Sequence, residues 1–248
     1  MKIAKKITHN AELSMPSNVY ARGLAPLKPG YLLAALSMRN MRHRTPQYVY
    51  HRTRLMWYEV THPGSPCLSP DAIRLLPSML RSSDQGVEFG SGVSTAWFAA
   101  RVGHLTSVES DKRWYATVSA MLKERRLTNA QLVLAPRDQP AELGDRSEYA
   151  RTAFNFPDES IDFALIDGIY RGHTARLMMP KIKLGGFLII DDAHWFLPSD
   201  SRSPNARTYA MGADGPVWEQ VAAGLSGWRT IWTSSGVNDT AIYVKPQP

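Results

Sequence analysis

Short apolar runs alternate along this chain with stretches of helical periodicity, and that alternation constrains the fold more than any other feature. The runs fall at residues 86–89, 105–109, 130–135, 161–166 and 187–190. Residues 94–102, 111–126 and 173–182 read as helices between them, the last despite Pro180. Strands that are apolar throughout, rather than on alternate residues, belong to a parallel sheet covered by helices on both faces. Near the end the pattern changes. Residues 217–225 read as a helix, and 228–233 and 240–245 as two strands around a turn at 234–239. A tight turn makes such strands antiparallel. The expected fold is therefore α/β: a doubly wound, mostly parallel seven-stranded sheet that closes on a C-terminal antiparallel strand pair.

The first part of the chain is different. Residues 1–60 hold ten Lys/Arg and two Asp/Glu, whereas residues 61–248 hold 19 and 20, so the net charge of +7 belongs to the N-terminal segment. Residues 32–44 read as a short basic helix, and Pro63, Gly64, Pro66 and Pro70 mark a boundary. The expected division is a basic extension over 1–67 and an α/β domain over 68–248. Ser69 and Pro70 are residue types that cap and open a helix, expected to run to about residue 82. A basic segment carrying Tyr31, Tyr48, Tyr50, Trp57 and Tyr58 suits contact with an anionic membrane surface. A solvated arm, or a helix joining copies of the chain into a homo-oligomer, accounts for the same pattern. Nucleic acid is not the expected partner. No apolar run of about 18 residues occurs, so no spanning helix is expected. No apolar run of signal type follows the basic start, so the expected location is the cytoplasm, with a peripheral membrane contact as its variant. The one cysteine, Cys67, excludes an intramolecular disulfide and reads as a small apolar residue at the boundary.

The strongest motif is Glu88-Phe89-Gly90-Ser91-Gly92, followed by Ser94 and Thr95, at the junction of the first strand and the next helix. Two glycines permit a tight turn and a close ligand approach, and the helix behind them offers its first amides. Thr95 stands where a nicotinamide-binding loop has its third glycine, and no Gly-Lys-Ser/Thr is present for a phosphate loop. Glu109 ends the next strand, 17 residues beyond Gly92. There it can accept from both ribose hydroxyls of an adenosine cofactor, or merely cap the following helix.

Together with the terminal strand pair, these residues resemble the class I S-adenosylmethionine-dependent methyltransferases, over residues 86–245. The resemblance implies that the glycine loop wraps the methionine part of S-adenosylmethionine and that Glu88 lies near its amino-acid end. It also places adenine beside the loop Pro136-Arg137-Asp138, with Asp138 as the polar contact, and brings Asp167 close to the cofactor.

A second pair of motifs, Asp167-Gly168-Ile169-Tyr170 and Asp191-Asp192, follows the fourth and fifth apolar runs. Strands four and five of such a sheet end on one rim, so three carboxylates gather there. They repel unless protons or a cation intervene, and hard oxygen ligands suit Mg²⁺ or another divalent cation. The pairing is similar to that of metal-dependent O-methyltransferases acting on catechols or sugars, which implies Asp167, Asp191 and Asp192 as metal ligands and a small-molecule or saccharide acceptor. This chain departs from those families at Ile169, where sugar-modifying enzymes carry an acid, and at Tyr170, where the catechol type has a lysine base. His194 and His173 are the candidate bases, or are structural. The long polar segment 194–214 reads as a lid or an excursion. Two other readings remain: a metal-independent methyltransferase, and a cofactor-binding module without turnover whose basic arm docks on a membrane or nucleic acid. The Asn-Pro-Pro-Tyr and Asp-Pro-Pro-Tyr tetrapeptides of amino-group methylases are absent.

Overall fold

The computed structural model describes residues 45–247, so the helix expected over 32–44 lies outside the described residues. The first described element is α1, Pro46–Thr61. Thr45 caps it by accepting from the Tyr48 amide at 3.1 Å, and Pro46 takes a first-turn position where a missing amide costs nothing. α1 buries only Leu55, and Val49, Tyr50, Trp57 and Val60 are exposed. Among the described residues no helix is long and apolar enough to cross a membrane.

α2 (Pro70–Met79) is capped by Ser69 as expected but stops short of residue 82. Pro77 removes one amide from the helical ladder, and Leu80 is already extended. Cys67, just before it, is exposed rather than packed at the boundary.

The alternation then resolves into β1 (Gln85–Phe89), α3 (Val93–Ala99), β2 (His104–Glu109), α4 (Lys112–Glu124), β3 (Ala130–Leu134), α5 (Glu148–Arg151), β4 (Ile161–Ile166), α6 (Arg171–Met178), β5 (Ile182–Asp191), α7 (Gly215–Gly224), β6 (Arg229–Ser234) and β7 (Asp239–Val244). The seven strands lie in the order β3-β2-β1-β4-β5-β7-β6. The first five are parallel, and β7 runs antiparallel to both β5 and β6. This is the expected doubly wound sheet with its terminal antiparallel pair. Winding proceeds outward from β1 in both directions, so it reverses between β1 and β4. In sheets of this order the ligand site lies beyond the carboxyl ends of the strands at that point.

Two of these elements differ from expectation in their boundaries. α6 begins at Arg171 because Tyr170 adopts the left-handed conformation (φ 53°) and turns the chain straight into the helix. It ends before Pro180, which sits in a 3-10 turn over Met179–Lys181. β5 begins five residues before its apolar run, at Ile182, with a register shift against β4 between Ile161 and Phe163. Its early residues Leu184 and Gly185 are exposed, so this part carries no apolar signature.

Apolar strand residues feed two layers. Leu165 and Ile189 pack with Leu76, Phe98 and Leu105 on one face, while Ile166 and Leu188 pack with Phe89, Met178 and Trp218 on the other. Full burial of one such side chain contributes about 1.5–3 kcal/mol. The layers hold the strand ends in fixed register, which positions that site.

Candidate functional site

The glycine loop leaves β1 under tight constraint. The Gly90 amide donates to Val108 O at 2.9 Å, and the Asp167 amide donates to Phe89 O at 2.8 Å, so β2, β1 and β4 stay joined past the end of β1. Gly90 has φ +100°, and a Cβ there would lie 2.7 Å from Gly168 N and 2.8 Å from Asp167 C. The loops after β1 and β4 therefore touch backbone to backbone. Gly92 is extended, and a Cβ on it would meet nothing nearer than Ser94 Oγ at 3.7 Å, so that side of the loop is open.

Side chains lock the loop from three directions. Ser91 donates to Glu109 Oε2 through its Oγ at 2.6 Å and through its amide at 3.2 Å. Glu109 Oε1 accepts the Ser110 and Asp111 amides, each at 2.7 Å. Trp114, in the first turn of α4, donates its Nε1 proton to Ser91 O at 2.7 Å. Below the loop, Thr95 Oγ1 accepts the Gly92 amide at 2.9 Å and donates to Glu88.

Glu88 is fully buried, and its oxygens accept from Ser94, Thr95 and Ser107. Burial pushes its carboxyl up to about 7, with the three hydroxyls pulling the other way and Asp167 adding a little repulsion. A carboxyl raised from 4.5 to about 7 favours the fold when protonated. Its contribution is full below pH 4.5 and is lost as pH rises through 7. Glu88→Gln removes that titration. Denaturant melts should find the variant gaining on the parent between pH 5 and pH 8, by at most about 3 kcal/mol. A gap that does not move with pH would mean Glu88 is not strained by its burial.

Tyr149, on α5, is fully buried, and its ring meets Phe89 edge-on with centroids 5.5 Å apart. Its hydroxyl has no hydrogen-bond partner among the described residues. It points at the junction of the two loops: a Cβ on Gly168 would fall 1.8 Å from it. Burial first, then the charges of Glu109 and Asp167, push its phenol well above the usual range.

Asp138 is exposed, and its carboxylate accepts the Glu148 amide at 3.1 Å at the start of α5. The loop carrying it is tied to α6 through Tyr170, whose hydroxyl donates to Gln139 O and accepts the Gln139 amide at 3.2 Å.

The rim of β4 and β5 brings together Asp167, Asp191 and Asp192 about one further residue, Arg171. The guanidinium contacts all three aspartates and Gly168, through side-chain or main-chain oxygens. Asp191 also accepts from Thr240 Oγ1 at 3.0 Å, across the β5–β7 pairing. Burial and the adjacent carboxylates raise Asp191 well above its ordinary value. Burial raises Asp167 to about 6 against the pull of Arg171. The expected metal set does not fit. Among the described residues no three His, Cys, Asp or Glu side chains form a group able to hold a metal ion, and a cation of the protein's own lies 2.9 Å from Asp167 Oδ1 and 3.7 Å from Asp192 Oδ2.

The two histidines part company. His173 on α6 is turned toward Asp145, with Nδ1 at 4.0 Å from Oδ1, and packs against Gly144. His194, in the 3-10 turn Ala193–Trp195 directly after β5, is fully buried with neither ring nitrogen partnered among the described residues. Burial lowers its pKa, so the ring is neutral at pH 7, while Asp192 and Asp239 act in the opposite sense. The segment after it is ordered by Arg207, which donates to Gly212 O at 2.8 Å and pairs with Asp214 at 2.9 Å. Phe196 stacks on Trp218 at 4.6 Å.

Sequence reasoning missed Tyr149, Trp114, Ser107 and Arg171. Only Arg171 left a signal, a cation four residues after Asp167 in the sequence.

A methyltransferase domain family matches residues 87–193. No curated protein matches the chain in sequence. Among solved structures, a methyltransferase-like protein from Silicibacter pomeroyi is 22% identical, with 74% of this chain and 89% of that one covered and a TM-score of 0.51. A caffeoyl-CoA O-methyltransferase homologue from Staphylococcus aureus is 16% identical, with 87% and 98% covered and a TM-score of 0.49. An rRNA methylase from Streptococcus thermophilus is 15% identical, with 70% and 93% covered and a TM-score of 0.45. The chain therefore has the Rossmann-like fold of the class I methyltransferases and carries, over residues 87–193, the sequence pattern of a methyltransferase domain.

Proposed function

We propose that residues 68–248 form an S-adenosylmethionine-dependent methyltransferase that acts on a hydroxyl of a small-molecule or sugar-like acceptor. The observation that carries this reading is the Tyr149 hydroxyl, buried and unpartnered beneath the Gly90–Gly168 junction. A buried hydroxyl without a partner costs about 1–3 kcal/mol, a cost that a polar ligand there relieves. The open side of Gly92 leaves room for that ligand, and Glu109 stands at the end of β2 where a ribose would lie.

Bound S-adenosylmethionine supplies a methyl group on a sulfonium, which leaves as a neutral thioether. The chain's own groups do the rest. The Gly90–Gly92 backbone, with Phe89 and Asp167 beside it, receives the amino-acid end. Glu109 accepts from the ribose hydroxyls once Ser91 Oγ turns aside. Asp138 marks the adenine side. Glu88, Ser94 and Thr95 keep the loop in shape from below. His194, neutral and buried, takes the proton of the acceptor hydroxyl, and Asp192 and Asp239 steady the imidazolium that results. Holding acceptor and methyl donor in line, away from water, is the larger part of the catalysis.

Calorimetric titration of S-adenosylhomocysteine into the full chain tests this directly, and micromolar binding is the expected result. Tyr149→Phe should weaken that binding about tenfold while leaving the melting temperature of the free protein equal or higher. Undiminished affinity in the variant removes the carrying observation. No binding to folded parent protein overturns the function itself.

A further inference from the structure

The rim carboxylates have a permanent counter-ion within the chain. We propose that Arg171 is a resident cation in the place of a divalent metal, so that the charge of the β4–β5 rim is partly offset and the rim is held in shape without metal. In consequence the methyl transfer proposed above is metal-free; only this consequence rests on the proposed function.

The geometry is specific. Arg171 Nη2 donates to Asp167 Oδ1 and to Asp167 O, each at 2.9 Å. Nη1 donates to Asp191 O at 2.7 Å and lies 3.7 Å from Asp192 Oδ2. Nε donates to Gly168 O at 3.1 Å. Carboxylate and main-chain carbonyl oxygens are the ligands a hard cation takes, and here one planar guanidinium collects them from both rim loops. The side chain is only 12% exposed, so it is not a solvated arginine that swings aside at no cost. Its place is set by the backbone. The left-handed Tyr170 turns the chain so that Arg171 opens α6, and the side chain lies back over the strand ends. A metal ion would have to approach the same oxygens to about 2.0–2.6 Å, space the guanidinium fills. The charge that joins the rim loops is thus carried by the chain itself.

The test is Mn²⁺ titration, followed by calorimetry and thermal melting, of the full chain and of Arg171→Met and Arg171→Lys. The parent should show no Mn²⁺ binding tighter than about 1 mM, and EDTA should leave its melting temperature unchanged. Arg171→Met should melt lower and gain Mn²⁺ binding at least about tenfold tighter than the parent, with a matching rise in melting temperature. Adding Asp192→Asn should remove the gain. If Arg171→Met is recovered folded only in the presence of Mn²⁺, that outcome carries the same meaning. Arg171→Lys keeps the charge without the fork and should fall between the two. Parent protein that binds Mn²⁺ in the micromolar range through Asp192 overturns the proposal. So does a folded Arg171→Met that gains nothing from the metal. None of these readouts uses methyl transfer or S-adenosylhomocysteine, so they stand even if the proposed function fails.

Discussion

Gly90→Ala should both loosen the fold and abolish cofactor binding. A Cβ at this position meets main-chain atoms of Asp167 and Gly168 at 2.7–2.8 Å, and main chain cannot rotate away as a side chain can. The φ of +100° adds a conformational cost for any residue with a Cβ. Overpacking and backbone strain contribute about 1–3 kcal/mol each. The melting temperature should fall by roughly 5–15 °C, at about 2–4 °C per kcal/mol for a chain of this size. Relief comes only by parting the loops after β1 and β4, which are the two that the cofactor bridges in the proposed function, so S-adenosylhomocysteine affinity should drop at least about 100-fold. Gly92→Ala is the control. It is extended and has an open side, so the free protein should melt within about 0.5 kcal/mol of the parent. Its new methyl nevertheless enters the space left for the ligand, and affinity should still fall. Equal melting and equal affinity in Gly90→Ala would show that the two loops are not in contact.

The contrast between these glycines shows where sequence reasoning succeeds and where it stops. The pattern Glu88-Phe89-Gly90-Ser91-Gly92 after an apolar run announces a loop at a strand end, because strand, glycine and helix are all local. Which glycine is obligatory depends on Gly168, 78 positions away, and no local pattern carries that. The same holds for Glu88. Its spacing from the glycines suggests a place beside the cofactor, yet its oxygens are occupied by Ser94, Thr95 and Ser107, hydroxyls from two elements that meet only in the fold. Strands were legible where both faces are buried, as in Leu165-Ile166 and Leu188-Ile189. The start of β5 was not, because Leu184 and Gly185 are exposed and the strand there pairs irregularly. Three aspartates on one rim were legible, since β4 and β5 had to end together. The charge that binds them was not, because a lone arginine at the start of a helix is ordinarily a surface residue. Tyr149 lies between β3 and β4 in a stretch of short 3-10 and α turns with no periodicity, so nothing in the sequence marked its hydroxyl as buried.

His194→Asn should reduce kcat by about 10²–10⁴-fold, the range for removing a positioned general base, with S-adenosylhomocysteine affinity unchanged within about twofold. The imidazole sits two residues after Asp192, buried, with no partner at either nitrogen among the described residues. Buried polar atoms are ordinarily hydrogen-bonded, and no described residue satisfies either nitrogen here, which leaves both available to a ligand. Its depressed pKa matters in the same direction. Below its ordinary value near 6.5 the ring stays neutral over the physiological range, as a proton acceptor must. The acid limb of kcat/KM in the parent should therefore lie below pH 6.5, with activity lost as pH falls through the depressed pKa and the ring takes up a proton before the acceptor can deliver one. The same group stabilises the fold above pH 6.5 and ceases to do so on the acid side, so melting and activity should decline together there. In His194→Asn the acid limb should vanish from what activity remains. His173→Asn is the comparison. That ring is turned toward Asp145 and packed on Gly144, and kcat there should change by no more than about threefold. Should the losses be exchanged between the two variants, the proton acceptor is on α6, and the acceptor molecule then enters beside α6 and the Ala141–Arg146 turn rather than over the end of β5.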